Sequence, residues 1–109
     1  MIVKVHMLAF CSEPGEPVLT RDVELADENW NDLSLIEKLE QIFYYGQNDF
    51  QPREKCPSVS MGDVIDLEGQ KYIVLALGFG KCSEETYQEL LTLNHRERQL
   101  AAFTATREI

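Results

Sequence analysis

The chain lacks the features that mark membrane, disulfide-rich and zinc-binding proteins. No stretch approaches the roughly 18 consecutive apolar residues of a membrane span, and the opening segment MIVKVHMLAF has no small-residue cleavage site. We therefore expect a soluble, cytoplasmic protein without membrane association. The three cysteines are widely spaced without a CxxC pair, and only two histidines accompany them. We predict free thiols at Cys11, Cys56 and Cys82, with no metal and no cofactor.

Basic residues are also scarce. Ten lysines and arginines stand against 19 aspartates and glutamates, which gives a formal net charge of -9 at pH 7. Such a protein repels nucleic-acid phosphates, so we predict no general binding of DNA or RNA. The acidic residues are concentrated between residues 13 and 40, where Arg21 and Lys38 are the only bases. We call this region the acidic segment; its nine carboxylates are Glu13, Glu16, Asp22, Glu24, Asp27, Glu28, Asp32, Glu37 and Glu40.

The acidic segment has two interpretations. Most charge runs of this kind form a solvated surface that keeps the protein soluble. Others form a docking surface for a basic partner or mimic the charge of nucleic acid. The first interpretation is favoured because it is the more common one for such charge runs, and the sequence leaves the second open.

The first third of the chain predicts a β-hairpin. A chain of 109 residues with 44% hydrophobic content can form one core, so we expect a single domain over residues 1–109. Apolar and polar residues alternate in IVKVHMLAFC and in VLTRDVEL, as they do in antiparallel strands, and SEPGEP between them is typical of a turn. His6 is interpreted as an ordinary strand histidine, with a catalytic imidazole as the alternative. In the second strand one side carries Leu19, Arg21, Val23 and Leu25.

A helix is predicted after the hairpin. Ser34 and Glu37 stand at the spacing of a capping box, and Gly46 is a natural stop. Trp30, just before the helix, is interpreted as a lid over one end of the core, with a binding aromatic as the alternative. Apolar residues at helical spacing predict the buried stripe of this helix, which is Leu35, Ile36, Leu39, Ile42 and Phe43.

The second half predicts another hairpin and another helix. Residues 64–67 and 71–79 have strand-like composition and are separated by a short turn. Ser83 then stands as an N-cap, and Tyr87, Leu90 and Leu91 form a packing stripe. The predicted fold is α+β with the element order ββαββα. An antiparallel sheet is covered on one face by the first helix, and the second helix packs at its side.

The tail, residues 94–109, either continues the second helix or restarts as a third, with Asn94 and Glu97 as a cap pair. Two helices and four strands already close a core of this size, so an extra apolar stripe folds back on its own sheet or pairs with a second copy. We favour the second arrangement, a homodimer through the C-terminal helix. The stripe is Leu93, Leu100 and Phe103, and the polar residues beside it are Arg96, Arg98 and Arg107.

One part of the chain resembles a known group. FYYGQNDFQ, followed by SVSMGDVIDLEGQKYIVLALGF, is similar to the YodL-like family of small uncharacterised proteins from plasmids, conjugative elements and phages of bacteria. The similarity covers residues 35–79 and implies a mobile-element origin but no activity. GDVIDLEGQKYIVLALGF also resembles the Gly-Asp-containing hairpin of small β-barrel domains of the PUA and ASCH type, some of which bind RNA or modified bases.

The polar residues of these motifs are the candidate binding residues. GQNDFQ places amides and a carboxylate at a helix exit, where they can pair with open helical carbonyls or contact a base or peptide. Cationic neighbours would make the Cys56 thiol more nucleophilic, but no partner base is identifiable. We predict no catalytic residue. The candidate binding residues are Gln47, Asn48, Asp49, Gln51, Arg53, Ser58 and Ser60.

Together these patterns favour a non-enzymatic accessory or protein-interaction module of a mobile genetic element. Its protein partner would contact the acidic N-terminal half and the loop of residues 47–53. One alternative is a PUA/ASCH-like ligand- or RNA-binding domain, which needs a basic or aromatic-lined groove beside residues 62–79. The other is a hydrolase that uses Cys56 or Ser60.

Overall fold

The strands form one five-stranded antiparallel sheet. The computed structural model describes residues 1–10, 13–26, 28–48 and 57–104. The strands are β1 Ile2–His6, β2 Thr20–Glu24, β3 Val64–Leu67, β4 Gln70–Val74 and β5 Phe79–Cys82, and the helices are α1 Leu35–Tyr45, α2 Glu84–Leu91 and α3 His95–Thr104. Across the sheet the order is β2-β1-β3-β4-β5. The α+β class is confirmed, but along the chain two strands, one helix, three strands and two helices replace the predicted ββαββα order.

The predicted first hairpin is confirmed. In the antiparallel register of β1 and β2, Val3 lies opposite Val23 and Val5 lies opposite Arg21. These four side chains are buried, whereas their strand neighbours Thr20, Asp22 and Glu24 are exposed. Alternation therefore sets the buried face of the hairpin, and this face includes the charged side chain of Arg21.

The capping box places the start of α1. Ser34 Oγ accepts from the backbone N–H of Glu37, and the Glu37 carboxylate accepts from the backbone N–H of Ser34. Gly46 ends the helix in an ordinary conformation, with φ of -79°. A Cβ there would lie 2.5 Å from Val59 Cγ2, so glycine is required for close packing rather than for a left-handed turn. The predicted stripe is confirmed, with two members buried and three partly buried: Leu39 and Ile42, then Leu35, Ile36 and Phe43.

The single strand predicted for residues 71–79 is wrong. The chain turns after Val74, where the N–H of Leu75 donates to the carbonyl of Gly78, and β5 returns beside β4. Gly78 has a φ of +90°, which an L-residue rarely adopts. The apolar run concealed this turn because its residues suit a strand, although Leu77 at the turn is 79% exposed. The shorter β3–β4 hairpin is confirmed and turns through Glu68 and Gly69.

The helices lie on opposite faces of the sheet. Ile65 and Val74 face the core cluster of α1, whereas their neighbours Val64 and Ile73 face α2. The second helix therefore covers the second face instead of packing at the side of the sheet. Trp30, in a 3-10 turn before α1, is buried in the α1 core, as the lid interpretation predicts. Within the described residues, no helix has the length and apolar character needed to cross a bilayer.

The tail restarts as α3 through the predicted cap pair. Asn94 Oδ1 accepts from the N–H of Glu97, and the Glu97 carboxylate accepts from the N–H of Asn94. The expected orientation of this helix is wrong in one respect, because Arg98 is buried, at 1% exposure. Leu100 and Phe103 are 62% and 67% exposed, so they do not fold back on the chain's own sheet, and their pairing with a second copy stays a prediction. The inward face of α3 is therefore the one that carries Arg98.

Candidate functional site

The acidic segment is exposed throughout the part of it that the structure describes. Asp27 lies outside the described residues, and the other eight carboxylates are all exposed. The fold does not bring them all together. Glu13 pairs with His95 of α3, with 3.0 Å between Oε1 and Nε2. A second group lies along α1 and the connection that follows β2, and it consists of Glu24, Glu28, Glu37 and Glu40.

The two bases of the acidic segment are withdrawn from its surface. Arg21 is only 2% exposed, and its guanidinium donates to Asn48 Oδ1 at 2.6 Å and to the Pro57 carbonyl at 3.0 Å. The Lys38 ammonium lies 3.4 Å from the Glu68 carboxylate and 5.5 Å from the centre of the Trp30 ring. These contacts place Arg21 in the protein interior and Lys38 beside a carboxylate outside the acidic segment.

These carboxylates border two adjoining grooves that share Gln41 and Tyr45. We call the pair the acidic groove. The first part, with a volume of about 360 Å³, runs along the outer side of α1 and is lined by Glu37, Glu40, Gln41, Tyr44 and Tyr45. The second part, of about 390 Å³, lies between α1 and the connection after β2 and is lined by Glu24, Leu25, Ala26, Glu28, Asn29, Gln41 and Tyr45.

Two tyrosines line the acidic groove, and Tyr45 lies where its two parts meet. Tyr44 and Tyr45 are 55% and 40% exposed, and their rings meet edge to face with 5.0 Å between centroids. The α1 stripe turns the apolar residues inward and leaves the tyrosines outward, so helical spacing alone could have located them. Sequence reasoning used this stripe only to define the core and missed the groove on the opposite side.

The carboxylates of the groove are dispersed. Among the described residues, no group of three or more His, Cys, Asp or Glu side chains is arranged to hold a metal ion. A divalent cation needs several oxygen ligands converging within about 2.6 Å, whereas a row of separate carboxylates suits separate positive charges. The arrangement therefore fits an extended basic ligand better than a bound ion.

The candidate residues at the C-terminal end of α1 form hydrogen bonds with neighbouring segments of the chain. The Gln47 amide donates to the carbonyls of Phe43 and Val59. These two bonds connect the end of α1 to the segment that precedes β3. The Asn48 carboxamide accepts from the buried Arg21 guanidinium, and its backbone N–H donates to Ser58 Oγ. These contacts give Gln47 and Asn48 a structural role, and a binding role for either stays a prediction.

The second candidate motif, which contains Ser58 and Ser60, is fixed by hydrogen bonds in the segment that precedes β3. Ser60 Oγ donates to the Ser58 carbonyl, and Asp63 Oδ2 accepts from the N–H of Ser60. Asp63 Oδ1 also accepts from the N–H of Ala9, 54 residues earlier. Gly62, with φ of +99°, lies in the turn before the strand. Besides Asp27, six residues named from the sequence lie outside the described residues: Cys11, Asp49, Gln51, Arg53, Cys56 and Arg107.

Burial changes the acidity of Asp63. The side chain is 1% exposed, and burial raises the pKa of Asp63 from 3.8 to about 6, against the opposing effect of the N–H groups of Ala9 and Ser60. Near neutral pH the carboxylate is mostly ionised and holds two loops by short bonds. Its location and contacts make it an organising residue rather than one exposed to a ligand.

A polar network joins α2 to the sheet. Tyr87 Oη and His6 Nδ1 lie 3.0 Å apart, and His6 Nε2 lies 3.6 Å from the Asp66 carboxylate. Lys71 adds an ion pair to Glu84 at 3.0 Å and lies over the Tyr87 ring. Burial lowers the pKa of His6, with Asp66 opposing it, and burial raises the pKa of Tyr87. Tyr87 is only 7% exposed, so this network is enclosed and offers little access to a substrate.

The histidines and described candidate nucleophiles do not form a catalytic arrangement. His6 bonds Tyr87, and His95 Nδ1 lies 3.1 Å from the Ala9 carbonyl. Ser60 Oγ is bonded to a backbone carbonyl. Cys82 is a buried free thiol, and burial raises its pKa to about 11, so it is protonated at neutral pH.

Comparison with known proteins adds no relative. No family model, curated protein or solved structure matches this chain significantly. The similarity to the YodL-like family therefore stays a prediction, and the acidic groove is the feature from which function is best argued.

Proposed function

We propose that the protein is a non-enzymatic interaction module that binds a basic protein partner through the acidic groove. The main support for this proposal is that Arg21 and Lys38 are directed away from the surface of the acidic segment. If the acidic segment only kept the protein soluble, its two bases could form ion pairs with its own carboxylates without impairing that role. Instead one base is buried against Asn48 and the other contacts Glu68, which lies outside the acidic segment. A row of exposed carboxylates attracts a positive partner and accelerates association.

A pair of charge-matched variants tests this proposal. Glu28→Gln with Glu40→Gln neutralises two groove carboxylates, and Glu85→Gln with Glu89→Gln neutralises two exposed carboxylates of α2. Each exposed charge pair contributes about 0.5 kcal/mol, so we expect the groove variant to bind a fluorescent oligolysine peptide about fivefold more weakly than the intact protein. The α2 variant should bind within about twofold of it.

The two variants have the same net charge, so net charge cannot explain a difference between them. Circular dichroism and thermal unfolding of both would show that the fold is retained. Equal loss of affinity in the two variants would mean that oligolysine responds to total charge, and the proposal would then be wrong.

The mobile-element origin remains part of the proposal and rests on the similarity of residues 35–79 to the YodL-like family. The homodimer through the C-terminal helix likewise stays a prediction. The PUA/ASCH-like alternative has less support, because the acidic groove borders α1 and carries negative charge, which RNA would not favour.

A further inference from the structure

The geometry points to a pH-dependent contact at the start of α3, in which His95 holds Glu13 while its ring is protonated and releases it when the ring is neutral. His95 Nε2 lies 3.0 Å from Glu13 Oε1, and His95 Nδ1 lies 3.1 Å from the Ala9 carbonyl oxygen. An ionised carboxylate and a carbonyl both accept hydrogen bonds and donate none. Both ring nitrogens therefore face acceptors. This inference goes beyond the proposed function and does not rest on it.

Only the protonated ring of His95 can donate to both of these acceptors. A neutral imidazole carries one N–H, and its other nitrogen presents a lone pair. In the neutral ring that lone pair faces either the Glu13 carboxylate or the Ala9 carbonyl, and the contact becomes repulsive. Because histidine ordinarily changes charge between pH 5 and pH 8, the contact changes within that range. The stabilisation is present while the ring is protonated and is lost as the pH rises.

The Glu13 side of the contact is the one that opens. The backbone N–H of Ala9 donates to the buried Asp63 carboxylate at 2.8 Å, so Ala9 is also fixed from the segment before β3. The Glu13 side chain is 64% exposed and can turn into water. The neutral ring therefore keeps its proton on Nδ1, where it donates to Ala9, and releases Glu13.

Other charged groups surround His95. Arg98, one turn along α3, also attracts Glu13, which opposes the lowering of the Arg98 pKa by burial. An arginine keeps its charge throughout this pH range, so Arg98 continues to hold α3 in place. Asp63, with its pKa raised to about 6 by burial, titrates in the same range. Arg96 and Glu97 are neighbours on α3 and are exposed.

A double-mutant cycle of His95→Gln and Glu13→Gln, measured by urea unfolding at pH 5 and pH 8, tests the inference. Asp63 and Arg98 are present in all four proteins of the cycle, so their own titration cancels in the coupling. At pH 5 the two substitutions should be coupled about threefold in the unfolding equilibrium constant, as expected for a partly exposed ion pair. At pH 8 the coupling should disappear. Equal coupling at both pH values, or none at either, would overturn the inference.

Nitrogen NMR of the imidazole in the intact protein tests which contact opens. We expect protons on both ring nitrogens of His95 at pH 5 and on Nδ1 alone at pH 8. His95→Gln identifies the resonances by their absence. A proton on Nε2 alone at pH 8 would mean that Ala9 rather than Glu13 is released, and the inference would then be wrong. None of these outcomes affects the proposed function, whose test uses other residues.

Discussion

Asp63 is a single side chain that links distant parts of the chain. Its two oxygens accept from Ala9 and Ser60, which belong to the segment after β1 and the segment before β3. A buried donor left without a partner costs about 1–3 kcal/mol, so this carboxylate stabilises two loops at once. The contact with Ala9 crosses 54 residues, so it leaves no local pattern in the sequence.

We predict that Asp63 makes stability depend on pH in an unusual direction. The folded pKa of about 6 exceeds the ordinary value of 3.8, so the folded protein holds this proton more tightly than the unfolded chain does. The stabilisation from the bound proton is complete below about pH 4 and is lost as the pH rises through 6. A shift of this size corresponds to about 3 kcal/mol.

Urea unfolding of the intact protein and of Asp63→Asn at pH 4, 5, 6 and 7 measures this effect. The asparagine variant cannot titrate at this position, so the difference in unfolding free energy isolates Asp63 from the other carboxylates. That difference should fall by about 2–3 kcal/mol between pH 4 and pH 7. A difference that stays constant or grows with pH would show that the two amide bonds outweigh burial.

At the scale of elements, α3 is attached to the rest of the molecule by a buried arginine. The Arg98 guanidinium donates to the carbonyls of Leu90 at 2.7 Å, Leu8 at 3.0 Å and Leu91 at 3.4 Å. Two of these carbonyls belong to the end of α2, where the last helical carbonyls lack the regular helical partner and the Leu90 carbonyl also accepts from the N–H of Leu93. Arg98 therefore closes the end of one helix while it fixes the next.

We predict that Arg98→Met lowers the unfolding free energy by about 3 kcal/mol and exposes α3 to exchange. Methionine keeps much of the volume but leaves the carbonyls of Leu8 and Leu90 without the guanidinium donor. Arg96→Met, at an exposed position two residues earlier, should change stability by less than about 0.5 kcal/mol. Denaturant unfolding together with amide hydrogen exchange of α3 measures both. Equal effects of the two substitutions would contradict the role given to Arg98.

The elements that could be predicted are those with local causes. Ser34 with Glu37 and Asn94 with Glu97 are cap pairs three residues apart, and both mark a helix start as expected. The β4–β5 turn could not be placed because apolar residues surround it and Gly78 is its main signal. The orientation of α3 depends on carbonyls contributed by Leu8 and Leu90, so the spacing of residues along the helix did not show that Arg98 faces inward.

For the candidate site, the sequence established the charge but not the shape. The acidic segment is visible in composition, and eight of its carboxylates are exposed as a charged surface should be. The groove needs α1 to lie beside the connection after β2, and this depends on the tertiary fold. The burial of Arg21 is partly predictable, since alternation puts it on the same side as Val23, but its Asn48 partner lies 27 residues away.

For the whole molecule, the distribution of charge is the property that connects the fold with the proposed function. The formal net charge of -9 predicts weak general binding to nucleic acids. Among the described residues two bases, Arg21 and Arg98, and one acid, Asp63, are buried, so the remaining charge is slightly more acidic than the composition alone indicates. Part of this negative charge lies in the acidic groove, along α1 and the connection after β2.

Titration of the isotope-labelled, intact protein with an oligolysine peptide, followed by backbone amide NMR shifts, tests the central claim most directly. The account predicts the largest shifts at Glu24, Glu28, Glu40 and the neighbouring Tyr45, with the exposed acids of α2 nearly unchanged. Shifts of similar size at residues 84–91 and in the groove would show that the peptide follows total charge over the whole surface, and this would contradict the account.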